Sequence, residues 1–350
     1  MAEHIPTTQK AAVFSNYGGK IEIKEVPVPE IEPDDMLVKI LYTGVCHSDL
    51  HIWLGDFPFP TKPLPLIGGH EGAGIVVKTG ANVKNFKVGD RAGVKWINAT
   101  CLCCEYCKRG YETNCENMIN SGFTRDGTFQ QYAVVRGTEA APIPEGLDMA
   151  KVAPILCAGV TVYKALKTSK VKAGQIVAIT GAGGGLGSCA IQYAKAMGMR
   201  VLALDTSAKE EHCRSLGADL FLDPFKCPDI VSAVQLLTSG GPHGVINLAA
   251  SVRAMDDAAK YVRTRGVVVL IALPPDAKMS IEVIPSIVRT ITVTTSAVGS
   301  RQDVDEALEF FARGQIKIPV EIATLEDLPK TFERMQKCEI SGRVVLDMWK

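Results

Sequence analysis

Four cysteines, Cys101, Cys104, Cys107 and Cys115, stand at spacings of two, two and seven residues inside CLCCEYCKRGYETNC. Thiolates this close can complete a tetrahedron around zinc within one loop, because the turns between them need few residues and each sulfur lies roughly 2.3 Å from the metal. C-x2-C-x2-C also opens the iron–sulfur run of bacterial ferredoxins, but there the fourth Cys follows after three residues and precedes Pro. Here the gap is longer and no Pro follows. Cys103 is an extra thiol whose neighbours already occupy the regular spacing. A closed four-sulfur site has no open coordination position, so it would stabilise a loop and leave the chemistry to other residues.

Two other metal-competent segments lie in the first half of the chain, GVCHSDLH with Cys46, and GGHEGAG with His70 and Glu71. A further thiol, Cys157, lies in PILCAG. Two Cys and one His form a catalytic zinc set that leaves a fourth position for water or substrate. Spacing alone does not join Cys46, His70 and Cys157. Taken singly, each reads as well as a buried thiol or a hydrogen-bonded core histidine.

After the apolar run Ile176–Thr180 comes Gly181-Ala182-Gly183-Gly184-Gly185-Leu186-Gly187, then a helical stretch carrying Ile191, Ala194 and Met197 and ending at Gly198. Glycines here would let the backbone approach a pyrophosphate at a helix N-terminus, where unpaired N–H groups and the helix dipole favour negative charge. The strict G-x-G-x-x-G pattern fails, since Leu186 stands where the third Gly belongs and Gly187 follows it. Asp205 closes the next apolar run, 18 residues after Gly187. An acid near that position binds adenosine ribose hydroxyls and repels a 2′-phosphate, so NAD is expected rather than NADP.

The surrounding segments suggest how these groups are carried. Residues 1 to about 155 are rich in Gly, Pro, turn signals and short β-type runs such as MLVKIL, which predicts an irregular, mostly β domain. From Gln175 onward, strands alternate with helical stretches: Ile176–Ile179, Val201–Leu204, Leu220–Leu222, Val245–Leu248, Val267–Leu270 and Ile291–Val293. That alternation predicts a doubly wound parallel sheet. A helix follows with Val304, Ala307, Leu308 and Phe311 at helical spacing, and the tail ends in a strand at Val344–Leu346. At 350 residues, two domains are expected.

Lys plus Arg equals Asp plus Glu at 38 each, so no net field favours a polyanion, and nucleic acid is not expected as a partner. No run approaches the roughly 18 apolar residues of a membrane span, and residues 1–10 hold no apolar signal stretch. No membrane partner is expected, and the cytoplasm is the expected compartment. Eleven cysteines in a long chain of odd count point to metal rather than to disulfides.

With GVCHSDLH, GGHEGAG, CEYC, LCAGVTVYKAL and GAGGGLG together, the chain resembles the medium-chain zinc alcohol dehydrogenases, most of all the yeast and fungal ethanol-type enzymes, from about Pro6 to its end. The resemblance implies an α/β protein in which a GroES-like, mostly β catalytic domain (1–158 and 297–350) carries an inserted Rossmann NAD domain (159–296). It implies that Cys46, His70 and Cys157 converge on a catalytic zinc with Glu71 close behind. Asp49 would orient His70. Ser48 would hydrogen-bond the alcohol, and His51 would pass its proton toward solvent. His47, Lys209, Val268 and Arg343 would join Gly181, Gly183, Gly184, Gly185, Leu186, Gly187 and Asp205 around the coenzyme. Trp53 and Trp96 would line a narrow substrate channel. The implied cofactors are NAD and two zinc ions per subunit, one catalytic and one structural. The partners are a small alcohol or aldehyde and, by family expectation, three further copies in a homotetramer. A zinc-free quinone or enone reductase, a polyol dehydrogenase, and an electron carrier or zinc-ribbon module built on the four-Cys loop are the competing readings.

Overall fold

The computed structural model describes residues 4–350, so the first three residues of the expected N-terminal domain lie outside the described residues. The chain divides into two compact units. The first holds residues up to Ala158 together with Ser300–Ala312 and Ile318–Lys350, and the second holds Gly159–Gly299 with Arg313–Lys317. Residues 297–299 and 313–317 thus fall outside the expected catalytic segment, and the Gln192 side chain holds both backbone groups of Lys317, accepting from its N–H and donating to its carbonyl at 2.8 Å.

The first unit is organised on the ten-residue strand Asp35–Gly44. Its side chains alternate between two apolar surfaces, as a period of two dictates. Met36, Val38 and Ile40 enter the main core with Phe129, Val344 and Leu346, while Leu37 packs with Tyr132 and Val134 on the other face. Strands Gly72–Thr79 and Arg343–Asp347 pair antiparallel with it, and Tyr132–Arg136 adds a further antiparallel partner. The C-terminal tail thus supplies a strand to the sheet begun by the N-terminal segment.

Among the described residues the second unit carries six parallel strands in the spatial order Leu220–Leu222, Arg200–Leu204, Ile176–Thr180, Gly244–Asn247, Val267–Leu270 and Thr292–Thr295. The four central runs are short and rich in Val, Ile and Leu, as strands covered on both faces must be. The order reverses between Ile176–Thr180 and Gly244–Asn247, and at that switch the carboxyl ends of the strands open a crevice suited to a dinucleotide. Observed and expected strands agree to within a residue or two: Asp205 lies just past the end of Arg200–Leu204, and the last strand starts at Thr292.

Candidate active site and metal centres

Strand pairing assembles the first candidate site. Thr43 faces Gly72 across one pairing and Gly44 faces Val345 across the other. Cys46, just beyond one strand end, therefore meets His70 and Glu71, just before the next, while Arg343 opens the strand on the opposite side. Gly44 donates to the Glu71 carbonyl at 3.1 Å and Val45 to that of Val344 at 3.0 Å. Position 44 has to be glycine, since a Cβ there would fall on the Glu71 carboxylate. Cys157 arrives at the end of the 3₁₀ turn Ala153–Leu156.

The donors are spaced as a cation would hold them. Cys46 Sγ lies 3.9 Å from Cys157 Sγ, and His70 Nε2 lies 3.3 Å from Cys157 Sγ. Ligand atoms of Cys46, His70, Glu71 and Cys157 all fall within 4.8 Å of one another, and all four residues are buried. Sulfurs on a zinc tetrahedron of ~2.3 Å bonds are separated by roughly 3.8 Å. His70 Nδ1 sits 2.7 Å from Asp49 Oδ1, leaving Nε2 as the ligand atom. Asp49 also accepts from the N–H groups of Cys46 at 2.9 Å and Gly69 at 3.2 Å, so one carboxylate aligns two of the ligand segments.

Burying so many ionisable groups perturbs all of them. The hydrogen bond with Cys157 holds the Cys46 thiol well below its ordinary range, and the same contact pushes Cys157 well above. Burial opposes charge on His70, but the Asp49 carboxylate outweighs it and lifts the imidazole well above its usual value. Burial raises Glu71 to about 7 against the pull of Arg343. Arg343 Nη2 lies 2.6 Å from Glu71 Oε2 and also donates to Oε1. Cys46, His70 and Cys157 form a three-donor set, and Glu71, held by Arg343, stands within reach of the same point. Arg343 is only 5% exposed, so it is no solvated surface charge, and its Nε is buried without an acceptor.

Helix His47–Leu54 carries the proton-handling candidates. Ser48 is half-buried in its first turn, and the rings of His47 and His51, one turn apart, stand 5.1 Å from each other. His51 Nδ1 lies 2.7 Å from Asp56 Oδ2. Trp96 stands edge-on to His70 with centroids 5.1 Å apart and stacks on Phe123 at 5.8 Å. Phe57 continues this aromatic wall, 5.6 Å from Phe123 and 6.2 Å from His51.

Trp53 does not join the wall. Two residues beyond His51 it points about 200° around the helix, its indole N–H donates to the Gly19 carbonyl at 2.9 Å, and its ring packs on Phe332. The expected pairing of Trp53 with Trp96 is corrected to Phe57 and Phe123 with Trp96. Phe57 and Asp56 follow the helix in a turn whose sequence signals only a chain reversal, and nothing near Phe123 marks it in advance.

The four-cysteine loop closes as its spacing predicts. Cys101 Sγ lies 3.5 Å from Cys115 Sγ and 4.0 Å from Cys107 Sγ. Backbone N–H groups of Cys104, Cys107 and Cys101 point at the sulfurs of Cys101, Cys104 and Cys115 at 3.3 to 3.5 Å, as thiolate ligands favour. Hydrogen bonds from the backbone of Cys103 and Cys104 bring the Cys101 thiol down to about 6, whereas burial pushes Cys107 up to about 12. Cys103 is exposed. Buried Glu112 ties the loop to helix Arg301–Ala312 by accepting from the N–H of Arg301 at 2.8 Å and from its Nε at 3.2 Å.

In the second unit Gly181 takes the left-handed conformation with φ of +63°, and Gly184 caps the helix that begins at Gly185, with Leu186 half-buried in its first turn. Gly187 takes the third-glycine role one residue late, since a Cβ there would strike the carbonyls of Gly181 and Ala182. Asp205 Oδ2 accepts from the Gly183 N–H at 2.8 Å and Oδ1 from Thr206 at 2.7 Å, while the Lys209 side chain lies over Gly183. Val268 is corrected. It is fully buried within a central strand, in the core with Ile176 and Val245. Residues able to face a ligand begin past the strand's carboxyl end, at Ile271 and Ala272, whose N–H groups bond to the Asn247 carbonyl.

Residues 32–145 match the family model of the alcohol dehydrogenase GroES-like domain, and residues 185–313 match that of zinc-binding dehydrogenases. The chain is 54% identical over 347 residues to alcohol dehydrogenase 1 of Caenorhabditis elegans, covering 99% of each. It is 52% identical over 344 residues to alcohol dehydrogenase 2 of the same organism, covering 98% of each. Among solved structures, acetophenone reductase from Geotrichum candidum in complex with NAD superposes with a TM-score of 0.88 at 30% identity over 99% of both chains.

Proposed function

Because the chain belongs to the zinc-dependent medium-chain alcohol dehydrogenases, NAD-dependent oxidoreductases of alcohols, we propose that it interconverts a short, unbranched primary alcohol, ethanol first, and its aldehyde, with one zinc for the reaction and one for the fold. The observation that carries the reading is the buried Cys46, His70 and Cys157 donor set, with Asp49 occupying the other imidazole nitrogen.

When bound, zinc supplies Lewis acidity toward an alcohol or aldehyde oxygen, and NAD accepts or returns the hydride. The residues of this chain do the rest. Arg343 neutralises Glu71 behind the donors, the Ser48 hydroxyl hydrogen-bonds the alcohol, and His51 takes the alcohol proton and passes it toward solvent. Trp96, Phe57 and Phe123 exclude water and restrict the length of the substrate. The Gly181–Gly187 turn receives the pyrophosphate at the helix N-terminus, and Asp205 accepts from the ribose hydroxyls, flanked by Lys209. His47, which is exposed, and Arg343 are the further contacts proposed for coenzyme phosphate. The unit ending at Ala158 and resumed by the C-terminal segments is thus the catalytic domain, and the other is the coenzyme domain.

The same proposal includes a cytoplasmic homotetramer. Unpaired cysteines, two of them the exposed Cys103 and Cys338, suit a reducing compartment. Exposed Val283, Ile284, Ile287 and Val288 on one short helix favour self-association. No single helix among the described residues is long and apolar enough to cross a membrane.

Metal analysis of purified, active protein, measured beside NAD turnover on primary and secondary alcohols, tests the reading. Two zinc ions per chain are expected. Cys46→Ala should abolish turnover and leave the fold largely intact, whereas Cys104→Ala should lower thermal stability first. One zinc or none in fully active protein would refute the two-site assignment.

A further inference from the structure

We propose that Asp56 is a positioning residue for His51: its carboxylate fixes the imidazole so that Nε2 faces the substrate's proton, and it stabilises the imidazolium formed when that proton arrives. This rests on the proposal that His51 is the relay base. The geometry is specific. His51 Nδ1 lies 2.7 Å from Asp56 Oδ2, so Nδ1 carries the hydrogen of the neutral ring and Nε2 keeps the lone pair. A carboxylate on one imidazole nitrogen fixes both tautomer and ring orientation.

The contact is built by the backbone rather than left to two loose surface side chains. Helix His47–Leu54 ends at Gly55, whose φ of +82° reverses the chain. Asp56 is thereby carried back over the last turn, its N–H donating to the His51 carbonyl at 3.0 Å, as does that of Gly55. A side chain at Gly55 would combine this left-handed φ with a Cβ 3.1 Å from the Tyr17 ring. Tyr17 is itself anchored by a 2.7 Å hydrogen bond to Thr61. The preceding turn of helix is held as well, Gly18 donating to the Trp53 carbonyl at 2.7 Å. The ring itself is neighboured by His47, with centroids 5.1 Å apart, and by Phe57 at 6.2 Å.

Exposure decides what such a pair can do. The His51 and Asp56 side chains are 18% and 29% exposed, covered enough for the carboxylate to hold the ring and open enough for water to take the proton onward. The step balances as a proton transfer alone: substrate hydroxyl proton to His51 Nε2, charge shared with Asp56, proton released to water. Asp56 is not among the residues that could hold either metal ion.

A double-mutant cycle on the zinc-loaded enzyme tests this, read as the single-turnover rate of NADH formation from ethanol by stopped-flow fluorescence. Asp56→Asn should slow that rate about 10-fold, within the contribution of the base it serves, with zinc content and the KM for NAD unchanged. Asp56→Glu should restore at least half of the loss. In the His51→Gln background Asp56→Asn should have no further effect, because its partner is gone. Full speed in Asp56→Asn beside a slow His51→Gln enzyme would overturn the role of Asp56 and leave the relay standing. Equal slowing by Asp56→Asn in both backgrounds would show action independent of His51 and also overturn it. A His51→Gln enzyme at full speed would overturn the relay and this proposal together.

Discussion

Replacing Asp205 separates the duty its carboxylate has in the fold from the ribose contact proposed for it. One oxygen accepts from the Gly183 N–H at 2.8 Å and fastens the glycine turn to the end of the neighbouring strand, while the other caps Thr206. A hydrogen bond to a charged group contributes about 1.5–3 kcal/mol, and roughly 1.4 kcal/mol corresponds to a factor of ten. Losing the bonds to the ribose should therefore cost about 10-fold to 100-fold in kcat/KM for NAD. Repulsion of a 2′-phosphate about 5 Å away, at an effective dielectric constant near 20, comes to roughly 3 kcal/mol per unit charge. Half-exposure of the site and salt reduce that to about half, or near 10-fold in favour of NADP once the charge is gone. Asp205→Asn keeps an acceptor for Gly183 and removes the charge, so its preference for NAD over NADP should fall about 100-fold with the turn intact. Asp205→Ala also releases the turn, so it should lose more with NAD and gain less with NADP. Steady-state kcat/KM on ethanol with both coenzymes, and NADH affinity by fluorescence titration, distinguish these outcomes. An Asn variant whose coenzyme preference stays within twofold of the unmodified enzyme would refute the placement of Asp205 at the ribose.

Phe57→Ala or Trp96→Ala should raise kcat/KM on butanol and hexanol relative to ethanol by 10-fold or more, since each methylene in an apolar site is worth roughly 1–3 kcal/mol; Trp53→Leu should lower the melting temperature without changing the preference. Arg343→Met removes the guanidinium from a fully buried Glu71, and loss of one partner of a buried pair costs about 3–5 kcal/mol, measurable as a lower urea midpoint that Glu71→Gln in the same chain should partly restore. Asp219 is opposed by burial, but Lys195 and the Val201 N–H outweigh it and hold the carboxyl below its usual range. Its stabilisation is therefore present above the unfolded pKa and lost as pH falls through the folded one. With both side chains about a third exposed, Asp219→Asn should cost no more than about 1 kcal/mol at pH 7, and the difference in melting temperature should shrink below about pH 4.

What could be read in advance divides by the range of the interaction. The four-cysteine loop and the glycine turn are local devices: their ligands or N–H groups come from one short stretch, so spacing restricts the geometry and the chemistry follows. Gly187 shows the limit even there, because its role comes from the carbonyls of Gly181 and Ala182 crowding that position, which a fixed motif register does not express. Cys46 and His70 meet only because Asp35–Gly44 pairs with Gly72–Thr79, Cys157 joins them from the 3₁₀ turn Ala153–Leu156, and Arg343 reaches Glu71 only because the C-terminal strand pairs on the other side. No spacing in the chain encodes those pairings, and resemblance to a family, rather than the residues themselves, joined them. Resemblance also misplaced two residues, and the physics of each element decides both. Trp53 lies on the wrong side of a helix whose other face carries His47 and His51, and Val268 lies in mid-strand rather than at the carboxyl end where a ligand can reach. Asp56 is the opposite case, only five residues from His51 yet unmarked by any motif. It becomes legible once Gly55 is seen to reverse the chain, so the αL turn that ends the helix is also what brings a carboxylate to the proton-relay candidate.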